Sequence, residues 1–241
     1  MSTIAIVGAG PQLGFAIGAK FAEKGGFNVA LVARREAQLA AMVDRFRGAG
    51  VSAAAFAADV TDRPSLEKAL AAAEEHFGPI DVLEYSPAPT LSDLADQPLV
   101  SAVDLTVESV LPGLRTNFFG AVAAVRQVLP GMIDRAAGTI IGTSGAGSGP
   151  MVVPQVANAN VANAAMRNWL LALNESLADS GVHVVHVALG ARIGSGRPNS
   201  EPDVIADLYW KAHVERDAPE VFHYDLPDEF EFQLADKFRA D

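Results

Sequence analysis

The run GAGPQLG, residues 8–14, contains the residue types that hold a phosphate through the protein backbone. It follows the apolar stretch TIAIVG and opens an amphipathic pattern in which Leu13, Ile17 and Phe21 recur every four residues. A glycine turn between a strand and a helix lets the backbone approach a pyrophosphate, which the helix N-terminus attracts. The turn therefore predicts a dinucleotide site, and the alternative is a glycine-rich turn that has lost its ligand. The cofactor-binding residues of this site would be Gly8, Gly10, Gln12, Leu13 and Gly14.

Two arginines, Arg34 and Arg35, directly follow the second apolar run, NVALVA at residues 28–33. An acidic residue at this position would bind the ribose 2′-hydroxyl of NAD and repel a 2′-phosphate. A guanidinium instead binds that phosphate with paired hydrogen bonds. The arginines therefore favour NADP(H) over NAD(H), and the alternative is a pair of solvated arginines at the start of a helix.

Asparagines are concentrated in the stretch NANVANAAMRNW, residues 158–169, where a long buried helix is predicted. Buried amides are costly unless each finds hydrogen-bond partners. An asparagine side chain donates and accepts hydrogen bonds but does not titrate. We therefore expect Asn158, Asn160 and Asn163 to bind backbone or ligand, and not to exchange protons.

The glycine turn, the arginines and the asparagines must be positioned by the secondary structure around them. In the sequence, short apolar runs alternate with amphipathic helical patterns. This alternation predicts one α/β domain over residues 1–241, a Rossmann-type doubly wound parallel sheet with helices on both faces. The loops at 87–98 and 190–202 both follow strands, and we expect them at the carboxyl edge of the sheet, where such folds bind ligands. The predicted strands are Thr3–Gly8, Asn28–Ala33, Val51–Ala57, Ile80–Tyr85, Gly138–Ser144 and Val182–Leu189.

The composition argues against several classes of function. A formal net charge of −11, with no basic cluster larger than the arginine pair, argues against nucleic acid and anionic membranes as partners. The absence of cysteine excludes disulfides and thiolate metal ligands, and the five histidines predict no metal site. No apolar run approaches a membrane span, and the first residues do not resemble a signal peptide. We expect a cytoplasmic protein that acts on a small molecule.

Four segments together carry a family resemblance: the glycine turn, ADVTD at 58–62, NFFGAV at 117–122 and GTIIGTSG at 138–145. In order and spacing they are similar to the short-chain dehydrogenase/reductase family over nearly the whole chain. The resemblance implies a nicotinamide cofactor, and relatives form homodimers or homotetramers through helices that would here span about 100–129 and 154–180. The tail at 221–234 would form a last strand and a segment that covers a neighbour.

The resemblance also implies roles for individual residues. Asp59 and Val60 would line the adenine, and Asn117 would fix a water in the proton relay. Ser144 would polarise the substrate. In the loop after the sixth strand, Ile193 would hold the nicotinamide and Ser195 would bond its carboxamide.

The sequence departs from the family where the proton donor should lie. The tyrosine position of the family's Tyr-x-x-x-Lys pair is Ala159 and the lysine position is Asn163. Alanine donates no proton, and Asn163 can only form hydrogen bonds, for example to the cofactor ribose. Tyr85 is a candidate replacement donor at the end of the fourth strand, and a tyrosine packed beneath the cofactor is the alternative. Gln12 also replaces the middle glycine of the turn.

Three hypotheses follow from this combination. The first is an NADP(H)-dependent oxidoreductase with an atypical active site, with Ser144, Asn117, Tyr85 and Asn163 as its catalytic set. The second is a catalytically inactive NADP(H)-binding sensor or partner subunit. The third is a scaffold that binds no nucleotide because Gln12 blocks the pyrophosphate.

Overall fold

The computed structural model describes residues 1–89, 91–149 and 151–226. Its centre is a seven-stranded sheet in which every neighbouring pair is parallel, in the order β3-β2-β1-β4-β5-β6-β7. All six predicted strands are present, and the tail supplies the seventh. The strands are β1 (Thr3–Val7), β2 (Asn28–Ala33), β3 (Ala53–Ala57), β4 (Val82–Tyr85), β5 (Gly138–Gly145), β6 (Val182–Ala191) and β7 (Glu220–Asp225).

Helices connect the strands and cover both faces of the sheet, as predicted. Between α5 and α6 the chain continues through one π-helical turn at Leu114–Phe119. The helices are α1 (Leu13–Gly25), α2 (Glu36–Gly48), α3 (Arg63–Phe77), α4 (Leu91–Asp96), α5 (Val107–Gly113), α6 (Gly120–Asp134), α7 (Ala157–Ser176) and α8 (Pro202–Glu215). The doubly wound Rossmann-type fold is thereby confirmed.

Two cores lie on opposite faces of the sheet, because successive strand residues point to opposite sides. On one face α3, α6 and α7 bury Leu70, Met132 and Leu170. On the other face α1, α2 and α8 bury residues such as Ile17 and Tyr209. Strands covered on both faces have apolar residues at nearly every position, and for this reason β1 and β2 could be predicted from the sequence.

The strand order reverses between β1 and β4, and this switch point is where doubly wound sheets form a ligand crevice. Gly8 has φ +89°, and a Cβ at this position would lie 2.4 Å from the backbone nitrogen of Pro87. Only glycine permits this contact between the turn after β1 and the loop after β4.

Among the described residues, no helix has both the length and the apolar character that crossing a membrane requires. Residues 227–241 lie outside the described part, and with them most of the tail segment that was predicted to cover a neighbour.

Candidate active site

The glycine turn places the N-terminus of α1 at the crevice. Gly14 packs against the turn itself, since a Cβ there would lie 3.2 Å from the Cα of Ala9. The first N–H groups of a helix have no acceptor within the helix and point out of its N-terminus. The N–H groups at the start of α1 are therefore available to an anion.

Gln12 precedes α1 and extends across the crevice. Its side-chain nitrogen lies 2.8 Å from the position that a Cβ on Gly194 would occupy. The structure thus brings the glycine turn against the loop that contains Ile193 and Ser195. Gln12 and Ser195 are exposed, whereas Ile193 is half-buried against the core beneath. The amide therefore lies on the surface of the crevice, where its flexible side chain can move aside.

Arg34 lies at the end of β2, as predicted, and forms a two-pronged ion pair with Asp93 of α4. Its Nη1 and Nη2 atoms lie 3.1 and 2.6 Å from the two carboxylate oxygens. The hydrogen bond from Asp93 raises the pKa of Arg34 above its ordinary value. Arg35 is exposed at the N-cap of α2. A 2′-phosphate at this corner would exchange places with the Asp93 carboxylate.

Asp59 and Val60 follow β3 at the same edge of the sheet. The Asp59 carboxylate accepts hydrogen bonds from the backbone N–H of Thr61 at 2.8 Å and from its hydroxyl at 2.7 Å. The backbone carbonyl of Val60 lies against Gly120 at the start of α6. Both residues are half-buried, so they form a fixed wall of the crevice.

Asn117 and Asn163 are brought together although they are far apart in the sequence. The Asn117 side chain donates a hydrogen bond of 2.7 Å to the Asn163 carbonyl oxygen. The π-helical turn positions Asn117, and the first turns of α7 position Asn163. A Cβ on the exposed residue Gly145, at the end of β5, would lie 3.5 Å from the Asn163 nitrogen. This amide pair can orient a ligand but has no proton to transfer.

Asn158 and Asn160, near the start of α7, bind backbone. Buried Asn158 accepts from the N–H of Val100 at 3.0 Å and donates to the carbonyls of Pro98 and Ser109 at 3.1 and 3.3 Å. Asn160 donates to the carbonyl of Val153 at 2.9 Å. These contacts attach the start of α7 to neighbouring segments, and of these three asparagines, of which only Asn158 is buried, Asn163 faces the site.

Tyr85 packs beneath the crevice. Its side chain is 1% exposed, and its hydroxyl donates to the carbonyl of Thr116 in the π-helical turn. Burial raises the pKa of this phenol far above its ordinary value, which makes it a weaker acid. The structure therefore favours the packing alternative for Tyr85 over the role of proton donor, because the hydroxyl faces the protein interior.

Ser144 lies at the carboxyl end of β5, as the resemblance implied. The residue is 8% exposed, and its Oγ lies 2.8 Å from Nε2 of His186 on β6. The strand alternation turns this side chain toward α7, while the next residue, Gly145, is the exposed one. The sequence does not show to which face of the sheet the last residues of a strand point. The direction of the Ser144 side chain is therefore known only from the folded structure.

Sequence reasoning missed a buried acid, Glu84 of β4. Burial raises the pKa of its carboxyl from 4.5 to about 7, although hydrogen bonds from Ser86 and Thr143 oppose the change. Those hydroxyls lie 2.8 and 2.9 Å from its oxygens, and the Tyr209 hydroxyl lies 3.0 Å from that of Thr143. A single glutamate inside the apolar run VLEY was the signal that could have revealed it.

The described residues contain no group of three His, Cys, Asp or Glu side chains that could hold a metal ion.

The comparisons with known proteins agree with this geometry. The family model described as short chain dehydrogenase matches residues 2–194. A short chain dehydrogenase of Pseudocercospora fijiensis is 30% identical over 143 residues, which cover 59% of this chain and only 44% of that protein. The chain thus matches less than half of that relative.

Two further similarities extend over more of the chain. The A-factor type gamma-butyrolactone 1′-reductase of Streptomyces virginiae is 30% identical over 231 residues, covering 92% of this chain and 79% of the relative. The crystal structure of an alcohol dehydrogenase from the archaeon Thermococcus sibiricus, complexed with 5-hydroxy-NADP, superposes with a TM-score of 0.78 at 20% identity. It covers 95% of this chain and 99% of that one, so this likeness shows the shared fold.

Proposed function

Since the chain belongs to the short-chain dehydrogenase/reductase family, we propose that it is an NADP(H)-dependent oxidoreductase with an atypical active site and a small-molecule substrate. The observation that carries the proposal is the crevice at the switch point, where the glycine turn, Arg34 and the Asn117–Asn163 pair converge on one edge of the sheet. A bound nicotinamide would supply hydride chemistry.

The described residues fit this cofactor. The close contact at Gly8 excludes a side chain at that one position, and the N-terminus of α1 would face a bound pyrophosphate. Arg34 is the group that would bind a 2′-phosphate, with Arg35 beside it. The dehydrogenase of Thermococcus sibiricus binds an NADP derivative on the same fold, which supports the choice of NADP over NAD.

The residues near the end of β5 would orient the substrate and exclude water. Asn117 holds the Asn163 carbonyl, which leaves the Asn163 nitrogen to donate to a ribose or a substrate oxygen. Ser144 would contribute its hydroxyl from below. Because Tyr85 is buried and Ala159 carries no proton, we infer substrates that need no phenolic proton, such as imines, activated alkenes or substrates that transfer a proton themselves.

The second candidate is a catalytically inactive NADP(H)-binding sensor or partner subunit. Ala159 and Asn163 favour it, since a general acid contributes roughly 10²–10⁴-fold to rate and neither residue supplies one. The third is a scaffold without nucleotide, which the position of Gln12 across the crevice favours.

A fluorescence titration with NADPH and NADH separates these candidates. We expect NADPH to bind more tightly than NADH, and Arg34→Ala to reduce NADPH affinity selectively. No NADPH binding at physiological concentration would leave only the scaffold. If NADPH binds, ketone, imine and enone substrates are compared in wild type and in an Ala159→Tyr/Asn163→Lys variant. Ketone turnover by the variant, with none of the three substrate classes turned over by wild type, would support the inactive NADP(H)-binding protein.

We further propose that the protein is cytoplasmic and forms a homodimer or homotetramer. The supporting observation is a set of exposed apolar side chains on the helices that the resemblance assigns to the interface: Val107, Phe119 and Val161, which are 71%, 51% and 42% exposed. Their burial in a second copy would remove apolar surface from water. A monomer in light scattering would contradict the assembly.

A further inference from the structure

Three side chains from three adjacent strands form a continuous hydrogen-bonded chain on the α7 face of the sheet. Ser144 of β5 lies 2.8 Å from Nε2 of His186, and Nδ1 of His186 lies 2.9 Å from the Glu220 carboxylate of β7. His186 and Glu220 are direct partners in the β6–β7 register. The order is hydroxyl, imidazole, carboxylate, which is the arrangement that activates a serine for nucleophilic attack.

Arg167 of α7 determines which atoms carry the protons in the hydrogen-bonded series Ser144, His186 and Glu220. Its Nε and Nη2 atoms lie 2.5 and 2.7 Å from the two oxygens of Glu220. Although burial raises the pKa of Glu220, the hydrogen bonds from Arg167 and His186 outweigh it and hold that pKa below its usual value. The ionised carboxylate therefore accepts the proton on Nδ1, so that Nε2 presents its lone pair to the hydroxyl of Ser144.

His186 is in the protonation state that a general base requires. Its side chain is fully buried, and this burial lowers the pKa of the imidazole below 6.5 despite the opposing bond to Glu220. The charged groups that face it are Glu220 from β7 and Arg167 from α7. The imidazole is consequently neutral at pH 7 and able to take a proton from Ser144.

Two features lie close to Ser144 along the chain, an exposed glycine and an unsatisfied donor. Gly145, next along the strand, is exposed and carries no side chain to cover it. The turn Ala146–Ser148 then folds back onto β6, β7 and α7. Within the described part of the chain, the hydroxyl of Ser148 is buried with no hydrogen-bond partner. A carbonyl oxygen bound here would satisfy such a group.

We propose that Ser144, His186 and Glu220 form an activated-serine site that cleaves carboxylic esters with small acyl groups. Ser144 Oγ forms a bond to the acyl carbon while its proton passes to Nε2 of His186. The bond from acyl carbon to the leaving alkoxy oxygen breaks, and that oxygen takes the proton from Nε2. Water then attacks the acyl-serine, gives a proton to Nε2 and releases the acid as Oγ recovers its proton. The reaction consumes no cofactor, so it can be tested without NADP(H), although Ser144 also belongs to the proposed oxidoreductase site.

The test uses the full chain with a short-chain alkyl fluorophosphonate and with p-nitrophenyl acetate. We expect stoichiometric covalent labelling at Ser144, located by peptide fragmentation, and nitrophenol release without NADPH. Ser144→Ala abolishes both, and His186→Gln reduces the labelling rate by roughly 100-fold or more. Glu220→Gln gives a smaller loss. Ser176→Ala, at an exposed position of α7, is the matched serine control and retains labelling at Ser144.

The pH profile distinguishes an activated serine from an ordinary one. With a neutral imidazole as base, the labelling rate rises as pH passes the lowered pKa of His186 and is level above pH 6.5. An unassisted hydroxyl would continue to gain rate as pH increases. Thermal unfolding verifies that each variant is folded. No labelling of folded wild type, equal labelling of His186→Gln, or a label on Ser148 would each overturn the proposal, whatever the NADPH titration shows.

Discussion

Two consecutive residues of β5, Thr143 and Ser144, are hydrogen-bonded toward carboxyl groups on opposite faces of the sheet, the first directly and the second through His186. On the α8 face, Thr143 donates to Glu84, whose carboxyl has its pKa raised to about 7. On the α7 face, Ser144 reaches Glu220 through His186, and the pKa of Glu220 is lowered. Glu84 therefore keeps its proton up to nearly neutral pH, whereas Glu220 is ionised.

The difference arises from the partners and not from the strands. Glu84 is fully buried among hydroxyl groups, which stabilise a negative charge only in part. Glu220 is 15% exposed and is bound by the guanidinium of Arg167. Without a cation nearby, desolvation dominates and raises the pKa of Glu84. Beside the guanidinium of Arg167, charge-assisted hydrogen bonds dominate and lower the pKa of Glu220. The neighbouring residues Thr143 and Ser144 are thus connected to carboxyl groups whose pKa values are shifted in opposite directions.

The largest effect is expected from removal of the buried acid. A carboxyl whose pKa is raised on folding stabilises the protein below the unfolded pKa of about 4.5 and loses that contribution as pH rises through about 7. The shift corresponds to roughly 3 kcal/mol. Glu84→Gln should therefore match wild type at pH 4 to 5 and be more stable above pH 8 by up to about 3 kcal/mol.

Denaturant unfolding at both pH values measures this change. Glu75→Gln, at an exposed helix position, is the matched control and should show no such pH dependence. An equal stability difference at both pH values would show that folding does not raise the pKa of Glu84, and the contrast with Glu220 would disappear.

A smaller loss is expected when the cation on the other face is removed. Arg167→Met leaves the partly buried Glu220 without its guanidinium, which should cost about 2 kcal/mol of unfolding free energy at pH 7. The pKa of Glu220 should rise toward that of Glu84. Urea unfolding gives the first quantity, and its pH dependence gives the second.

The same substitution at an exposed pair provides the comparison. Arg63 binds Glu67 at 2.7 Å with its side chain 71% exposed, and Arg63→Met should change stability by less than about 0.5 kcal/mol. If the two substitutions had equal effects, burial would not be the reason that the α7 pair is stronger.

The smallest stability effect is expected at Asp93, which pairs with Arg34 at the open edge of the sheet. Asp93→Asn should leave stability nearly unchanged, because Arg34 is 49% exposed and the pair is screened by solvent. It should instead strengthen NADPH binding by about 1.5- to 5-fold, since a 2′-phosphate no longer displaces a carboxylate. Titration with NADPH and NADH measures this, and an equal gain for both would contradict contact between Arg34 and the 2′-phosphate.

The cofactor edge and the α7 face also differ in how far the sequence revealed them. The glycine turn and Arg34 are local features next to apolar runs, so their positions at strand ends followed from the pattern alone. Asp93 lies 59 residues from Arg34, and its pairing was not predictable. Likewise, the partners of His186 lie on two other strands, 42 and 34 residues away, and were not predictable.

The sequence by itself determined the strand and helix order, the parallel sheet, the crevice edge and the residue types at positions 159 and 163. These follow from hydrophobic periodicity, from glycine positions and from residue identity, all of which are local. Only the tertiary structure decided that Tyr85 is buried, that Ser144 faces α7, and that β7 places Glu220 beside His186. Those outcomes depend on pleat parity and on register between distant strands, and no local pattern encodes either one.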